Sequence, residues 1–207
     1  LGVTNQAIGA TLSFASAATS GGTDAATVSV NGLTGAATTL TLTTGTTNGI
    51  ETLTIASNTT ASSFSDIAMN GTTLTTVNVS GGANLTITTS LDSNVTTVNA
   101  STATGNVDLS QTNAGAFTFT GGAGNDKISL GANYGSTDTV NGGAGTDTIG
   151  MTSAAAVAVT AAQSNVTNME GLTISDALGG AITPSYFGSI TSVNLDARIG
   201  CRLMGVA

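Results

Sequence analysis

Apolar residues recur every 21 positions through much of this chain, and that spacing limits the fold more than any other feature. Val77, Val98, Phe119 and Val140 lie 21 apart. So do Val107, Ile128 and Ile149, and so do Leu109, Leu130, Met151, Leu172 and Val193. Ile50, Leu53 and Ile55 match Leu74, Val77 and Val79 at an offset of 24. Short segments also look alike: Leu74-Thr-Thr-Val-Asn-Val79, Val95-Thr-Thr-Val-Asn-Ala100 and Ile190-Thr-Ser-Val-Asn-Leu195. Independent series at one period are the mark of a repeat architecture.

Within each period the apolar residues alternate with Thr, Ser or Asn, as in Phe117-Thr-Phe119 and Ile128-Ser-Leu130. A period of two belongs to half-buried strands. Two short strands fit in each unit, and the gaps between them hold turns but no helix. The expected fold is all-β, a right-handed parallel β-solenoid with about 21 residues per coil. Coils stack at about 4.8 Å, so equivalent apolar residues form ladders down a narrow interior. A single coil cannot bury its own core, and stability comes from its neighbours.

Composition agrees. The chain has 41 Thr and 28 Gly among 207 residues, and Leu, Ile, Val and Phe make 45 more. Thr and Val favour strands. With charged residues at 7%, the chain lacks the charge density of a self-repelling coil. Three basic residues cannot build a phosphate-binding surface, which excludes nucleic acid. No His and a single Cys exclude the usual zinc sites and the Ser-His-Asp or Cys-His machineries. No apolar run is long enough for a membrane helix. A net charge of −8 points to cations held by hard oxygen ligands.

Two turns carry the sharpest signal. Gly121-Gly-Ala-Gly-Asn-Asp126-Lys-Ile-Ser129 and Gly142-Gly-Ala-Gly-Thr-Asp147-Thr-Ile-Gly150 both fit G-G-x-G-x-D-x-U-x, a calcium-binding nonapeptide. They too are 21 apart, so they fall on one edge of adjacent coils. Glycines let the backbone aim carbonyl oxygens at one point, and the Asp carboxylates complete a set of about six oxygens, which suits Ca²⁺. The expected ligands are the carbonyls of Gly121, Ala123, Gly143 and Gly145 and the carboxylates of Asp126 and Asp147. Mg²⁺ is smaller and keeps its water.

Other features read plainly. Asp138 lies on the opposite edge and is expected to make an Asx turn. Lys127 is expected in solvent. The seven Asn-x-Ser/Thr sequons follow from composition. Residues 1–25 read as an N-terminal edge or the continuation of a preceding domain. Residues 26–197 form the solenoid with its calcium insert at 121–150. Residues 198–207 hold two of the three basic residues and the only Cys, and read as a boundary or a cloning scar. The chain opens on Leu1 rather than Met, so a fragment or processed product is expected.

The paired nonapeptides resemble the RTX repeats of proteins exported by bacterial type I secretion. Together with Thr/Ala/Gly-rich coils and segments such as Met169-Glu-Gly-Leu-Thr-Ile-Ser175, the chain resembles surface-layer proteins of the Caulobacter type. The resemblance covers most of residues 26–197. It implies an RTX-like β-roll in a secreted, non-enzymatic protein that folds in extracellular calcium. It further implies that copies tile the bacterial surface as a two-dimensional lattice, anchored to a cell-surface glycan through a domain outside this chain. The alternative is a segment of a secreted RTX adhesin or another calcium-binding solenoid module. Ice-binding fits less well, because the Thr-x-Thr matches drift out of register, and carbohydrate-binding also ranks below the adhesin reading. A polysaccharide lyase or epimerase would need charged groups clustered in a groove, whereas Asp92, Asp108 and Asp176 are scattered in sequence.

Overall fold

The computed structural model describes residues 2–4, 10–14, 22–34, 39–44, 49–69, 73–163 and 165–196; the tail at 198–207 lies outside them. In chain order the strands are β1 (Gly2–Thr4), β2 (Ala10–Phe14), β3 (Ala25–Asn31), β4 (Thr39–Thr44), β5 (Thr52–Ser57), β6 (Ser62–Met69), β7 (Thr76–Gly81) and β8 (Leu85–Ser90). They continue as β9 (Thr97–Ala103), β10 (Val107–Ser110), β11 (Thr118–Thr120), β12 (Lys127–Gly131) and β13 (Thr139–Asn141). The last four are β14 (Thr148–Met151), β15 (Val166–Thr167), β16 (Gly171–Ile174) and β17 (Ser192–Leu195). Odd-numbered strands β1 to β15 form one parallel sheet, and β2 to β16 with β17 form the other. The chain alternates between the sheets, coil on coil, in a β-solenoid of about 7 turns with roughly 23 residues each. That is slightly longer than the 21 read from sequence.

The 21-residue ladder of the first sheet is in register. Val77 faces Val98, Val98 faces Phe119, and Phe119 faces Val140. All four are fully buried. The offset of 24 also holds, with Leu53 on Val77 and Ile55 on Val79. The second sheet keeps the expected spacing at Ile128–Ile149 and Leu172–Val193 but departs from it elsewhere. Leu109 faces Ile128 rather than Leu130, and Leu172 faces Ile149 rather than Met151. Met151 itself faces Gly131 across a bulge. The slips at Leu109 and Leu172 amount to two residues each, and the one-residue slip at Met151 is taken up by the bulge. A slip of two keeps every side chain on its original face, whereas a slip of one would turn the core outward. The corners absorb the difference.

Two other elements differ from the sequence reading. A short helix, α1 (Ser153–Ala158), lies between β14 and β15. Its run of alanines favours helix, and the Thr152 hydroxyl caps it by accepting the Ala155 N–H at 3.3 Å. The segment Ile190–Leu195 looks like β7 and β9 but belongs to the opposite sheet, where β17 pairs with β16. Between β16 and β17 the chain makes a 3-10 turn, Pro184–Phe187, instead of a strand. Phe187 is buried there, with its ring 5.7 Å from that of Tyr134. Among the described residues no helix is long and apolar enough to cross a membrane.

Candidate metal centre

The two glycine-rich turns sit at one corner of adjacent coils, where the chain passes from β11 to β12 and from β13 to β14. They are stacked by backbone bonds: Ala144 N–H donates to the Gly122 carbonyl at 2.9 Å, and Ala123 N–H to the Ala103 carbonyl at 2.9 Å. The coils come too close here for side chains. A Cβ on Gly121 would lie 1.9 Å from the Gly142 carbonyl oxygen, and one on Gly142 would lie 1.9 Å from that of Asn168. The motif glycines are therefore needed for contact between coils.

Asp126 and Asp147 are both buried, at 1% exposure each. Neither projects into solvent. Asp126 Oδ1 accepts the Val107 N–H at 2.8 Å, and its Oδ2 accepts the Gly122 N–H at 2.7 Å. Asp147 Oδ1 accepts the Asp126 N–H at 2.6 Å. Glu170 Oε2 in turn accepts the Asp147 N–H at 2.8 Å. Each carboxylate thus takes the amide of its register partner in the preceding coil. The steps along this file are 19, 21 and 23 residues. Leu85 and Val107 occupy the same register position in earlier coils, so an apolar ladder turns acidic at Asp126.

One residue before the file runs a second ladder of opposite sense. Asn84 Oδ1 accepts the Asn106 N–H, Asn106 Oδ1 the Asn125 N–H, and Asn125 Oδ1 the Thr146 N–H, at 2.9–3.0 Å. In parallel strands successive amides point to opposite neighbours, which explains the alternating directions. The carboxylate device recurs elsewhere. Glu51 accepts the Asp24 N–H at 2.6 Å, Asp138 the Phe117 N–H at 3.0 Å, and Asp176 the Ser153 N–H. Asp138 does not make the expected Asx turn, because its second oxygen accepts from Gly135, three residues earlier, at 2.8 Å. Six of the eleven acidic residues thus bridge coils.

The file is electrostatically costly. Burial pushes the Asp147 carboxyl up to about 6, with the charges of Asp126 and Glu170 adding to the rise. Burial also raises Asp126 and Asp138, despite their amide bonds. Beside Asp138, burial pushes the Tyr134 hydroxyl up to about 12. Among the described residues the sole cation is Lys127, which is half exposed and pairs with Asp108 at 3.6 Å. Asp147 Oδ2 is buried without any hydrogen-bond donor. The equivalent oxygen of Asp126 is satisfied by Gly122, but Gly143, at φ 95°, gives its N–H to Asn141 Oδ1 instead.

The expected ligand set is thus brought together in part. Asp126 and Asp147 stack in neighbouring coils, and no donor among the described residues reaches the carbonyls of Gly121, Ala123, Gly143 or Gly145. These are hard oxygens, and the orphaned carboxylate oxygen fits a calcium ion's needs. No group of three His, Cys, Asp or Glu side chains among the described residues converges on one point, so any ion here draws on backbone carbonyls. Sequence reasoning missed Glu170. Its signal was present, since Asp126-Lys-Ile128 and Asp147-Thr-Ile149 are followed by Glu170-Gly-Leu172 at the strand start. The nonapeptide pattern hid it, because Glu170 has no glycine run before it.

A separate open cleft of about 620 Å³ lies between β6 and the turn after β8, lined by Asp66, Asp92, Ser90, Ser93, Asn94 and Thr112. Burial raises Asp66, and Asp92 contributes. Asp92 Oδ1 is already held by the Asn94 amide and side chain at 2.9 and 2.7 Å. Compared with protein-family models, curated proteins and solved structures, the chain finds no match.

Proposed function

We propose that this chain is a non-catalytic structural subunit of a bacterial surface layer, folding and assembling in extracellular calcium into a two-dimensional lattice. The observation that carries the reading is the pair of G-G-x-G-x-D turns, stacked in adjacent coils, whose buried carboxylates face no cation among the described residues. Calcium would neutralise that file and take the carbonyls of Gly121, Ala123, Gly143 and Gly145 with the carboxylates of Asp126 and Asp147. In the low calcium of a cytosol, the carboxylates repel one another and the corner is weakened. Outside the cell, an ion that binds only the folded corner stabilises it by mass action.

Assembly draws on the solenoid's ends. Among the described residues β17 is the outermost strand of its sheet, and Val193 and Leu195 on it are 45% and 36% exposed. A parallel edge of this kind is a template for another chain where nothing else pairs with it. Copies of this chain are the proposed partners, with a surface glycan held by a domain outside it.

Negative-stain electron microscopy of the purified protein in millimolar calcium and after chelation tests this reading. Ordered sheets that disperse on chelation are expected. Separate rods in both conditions would refute assembly by this chain and favour a segment of a secreted RTX adhesin.

A further inference from the structure

The second nonapeptide turn faces two neighbours, and the sequence motif accounts for only one of them. On its far side lies the loop Thr167-Asn168-Met169-Glu170, which has no glycine run. We propose that a hard divalent cation, with calcium the best fit, binds between residues 142–147 and residues 167–170, held by the carboxylates of Asp147 and Glu170 and the carbonyl of Asn168. This rests on the calcium reading of the paired turns and adds a second ion to it.

The orphaned oxygen supplies the first argument. Asp147 Oδ2 is buried and takes no hydrogen bond, a costly state for half of an ionised carboxylate. Its surroundings supply the second. A Cβ placed on Gly142 would lie 1.9 Å from Asn168 O and 2.5 Å from Asp147 Oδ2. Those two oxygens are therefore at most about 4.4 Å apart, the sum of the two distances. Calcium–oxygen distances of about 2.3–2.6 Å let one ion bridge oxygens up to about 5 Å apart. Asn168 is the sole non-glycine residue with positive φ among the described residues, at 52°, and its side-chain amide donates to Asn141 Oδ1 at 2.9 Å.

Charge supplies the third. Glu170 gives one oxygen to the Asp147 N–H and leaves the other without a donor among the described residues. A bridging water would satisfy the oxygens but leave two negative charges one coil apart. A divalent cation cancels them. The neighbouring cradle differs in just this respect: Asp126 Oδ2 has the Gly122 N–H, so its oxygen is already satisfied.

Calorimetric titration of the metal-stripped full chain with calcium chloride tests the proposal on wild type, Glu170→Gln and Asp126→Asn. Gln retains an oxygen for the Asp147 N–H, and circular dichroism checks that each variant is folded. Two ions per wild-type chain are expected. Glu170→Gln should remove one ion or weaken one step at least tenfold, while Asp126→Asn spares that step and weakens the other. A Glu170→Gln titration indistinguishable from wild type would overturn the second site, and loss of binding in Asp126→Asn alone would then leave the paired-turn reading standing. A wild-type chain that binds a single ion unaffected by Glu170→Gln would also overturn it. No calcium binding by wild type would overturn both readings.

Discussion

Asp147 bonds the Asp126 amide through one oxygen and holds the other, buried, beside two further acids. Its carboxyl titrates near 6 in the folded chain against 3.8 for an ordinary Asp. The folded state therefore binds this proton more tightly than the unfolded state. Its stabilising contribution is complete below about 3.8 and is lost as pH rises through about 6. Metal-stripped protein should melt at a higher temperature at pH 5 than at pH 7.5, and calorimetry at the two values checks the sign. Asp147→Asn removes the charge while keeping an oxygen for Asp126. In metal-free buffer at pH 7.5 it should raise the melting temperature by about 2–4 °C, as for roughly 1 kcal/mol in a chain of this size. It should also reduce the response to calcium. Gly142→Ala acts by sterics, since its Cβ would collide with the Asn168 carbonyl and Asp147 Oδ2. A urea titration should find a loss of about 1–3 kcal/mol.

At the scale of strands, the ladder Val77–Val98–Phe119–Val140 carries the core of the first sheet. Phe119 is fully buried with a valine on each side, so Phe119→Ala should cost about 3–5 kcal/mol by urea titration. Thr118→Ala, on the adjoining half-buried position, should change stability by no more than about 0.5 kcal/mol. The sequence disclosed this stretch of the sheet because the steps from Val77 to Val140 are all 21 residues, so equal spacing and true register coincide there. It misled in the second sheet, where steps of 19, 21 and 23 residues alternate along the file. Period-two alternation looks the same after a slip of two, so Leu109 and Leu130 seemed partners. The alternation also cannot name a sheet, which is why Ile190–Leu195 was grouped with β7. Asp126 and Asp147 were found from their motif, but their part in bridging coils was not legible. That role depends on which amide meets which carboxylate across a coil, and on Glu170, which no motif marks.

Over the whole molecule, the solenoid has few charges and thin layers, and its coils depend on their neighbours. Acidic side chains bridge coils at both ends and in the middle, from Glu51 to Asp176. At Asp126, Asp147 and Glu170 they meet in successive coils, and no cation among the described residues stands against them. On the proposed reading an external ion is the complement, and it would couple folding of the corner to the medium outside the chain. The most direct test is thermal unfolding of the metal-stripped chain at pH 7.5 as calcium is added, followed by circular dichroism. The melting temperature should climb steadily, with about 2.7 kcal/mol gained at calcium one hundred times the dissociation constant, while magnesium has little effect. A melting temperature that stays constant up to several millimolar calcium would contradict a calcium-stabilised solenoid and leave the carboxylate file as a set of hydrogen-bond acceptors alone.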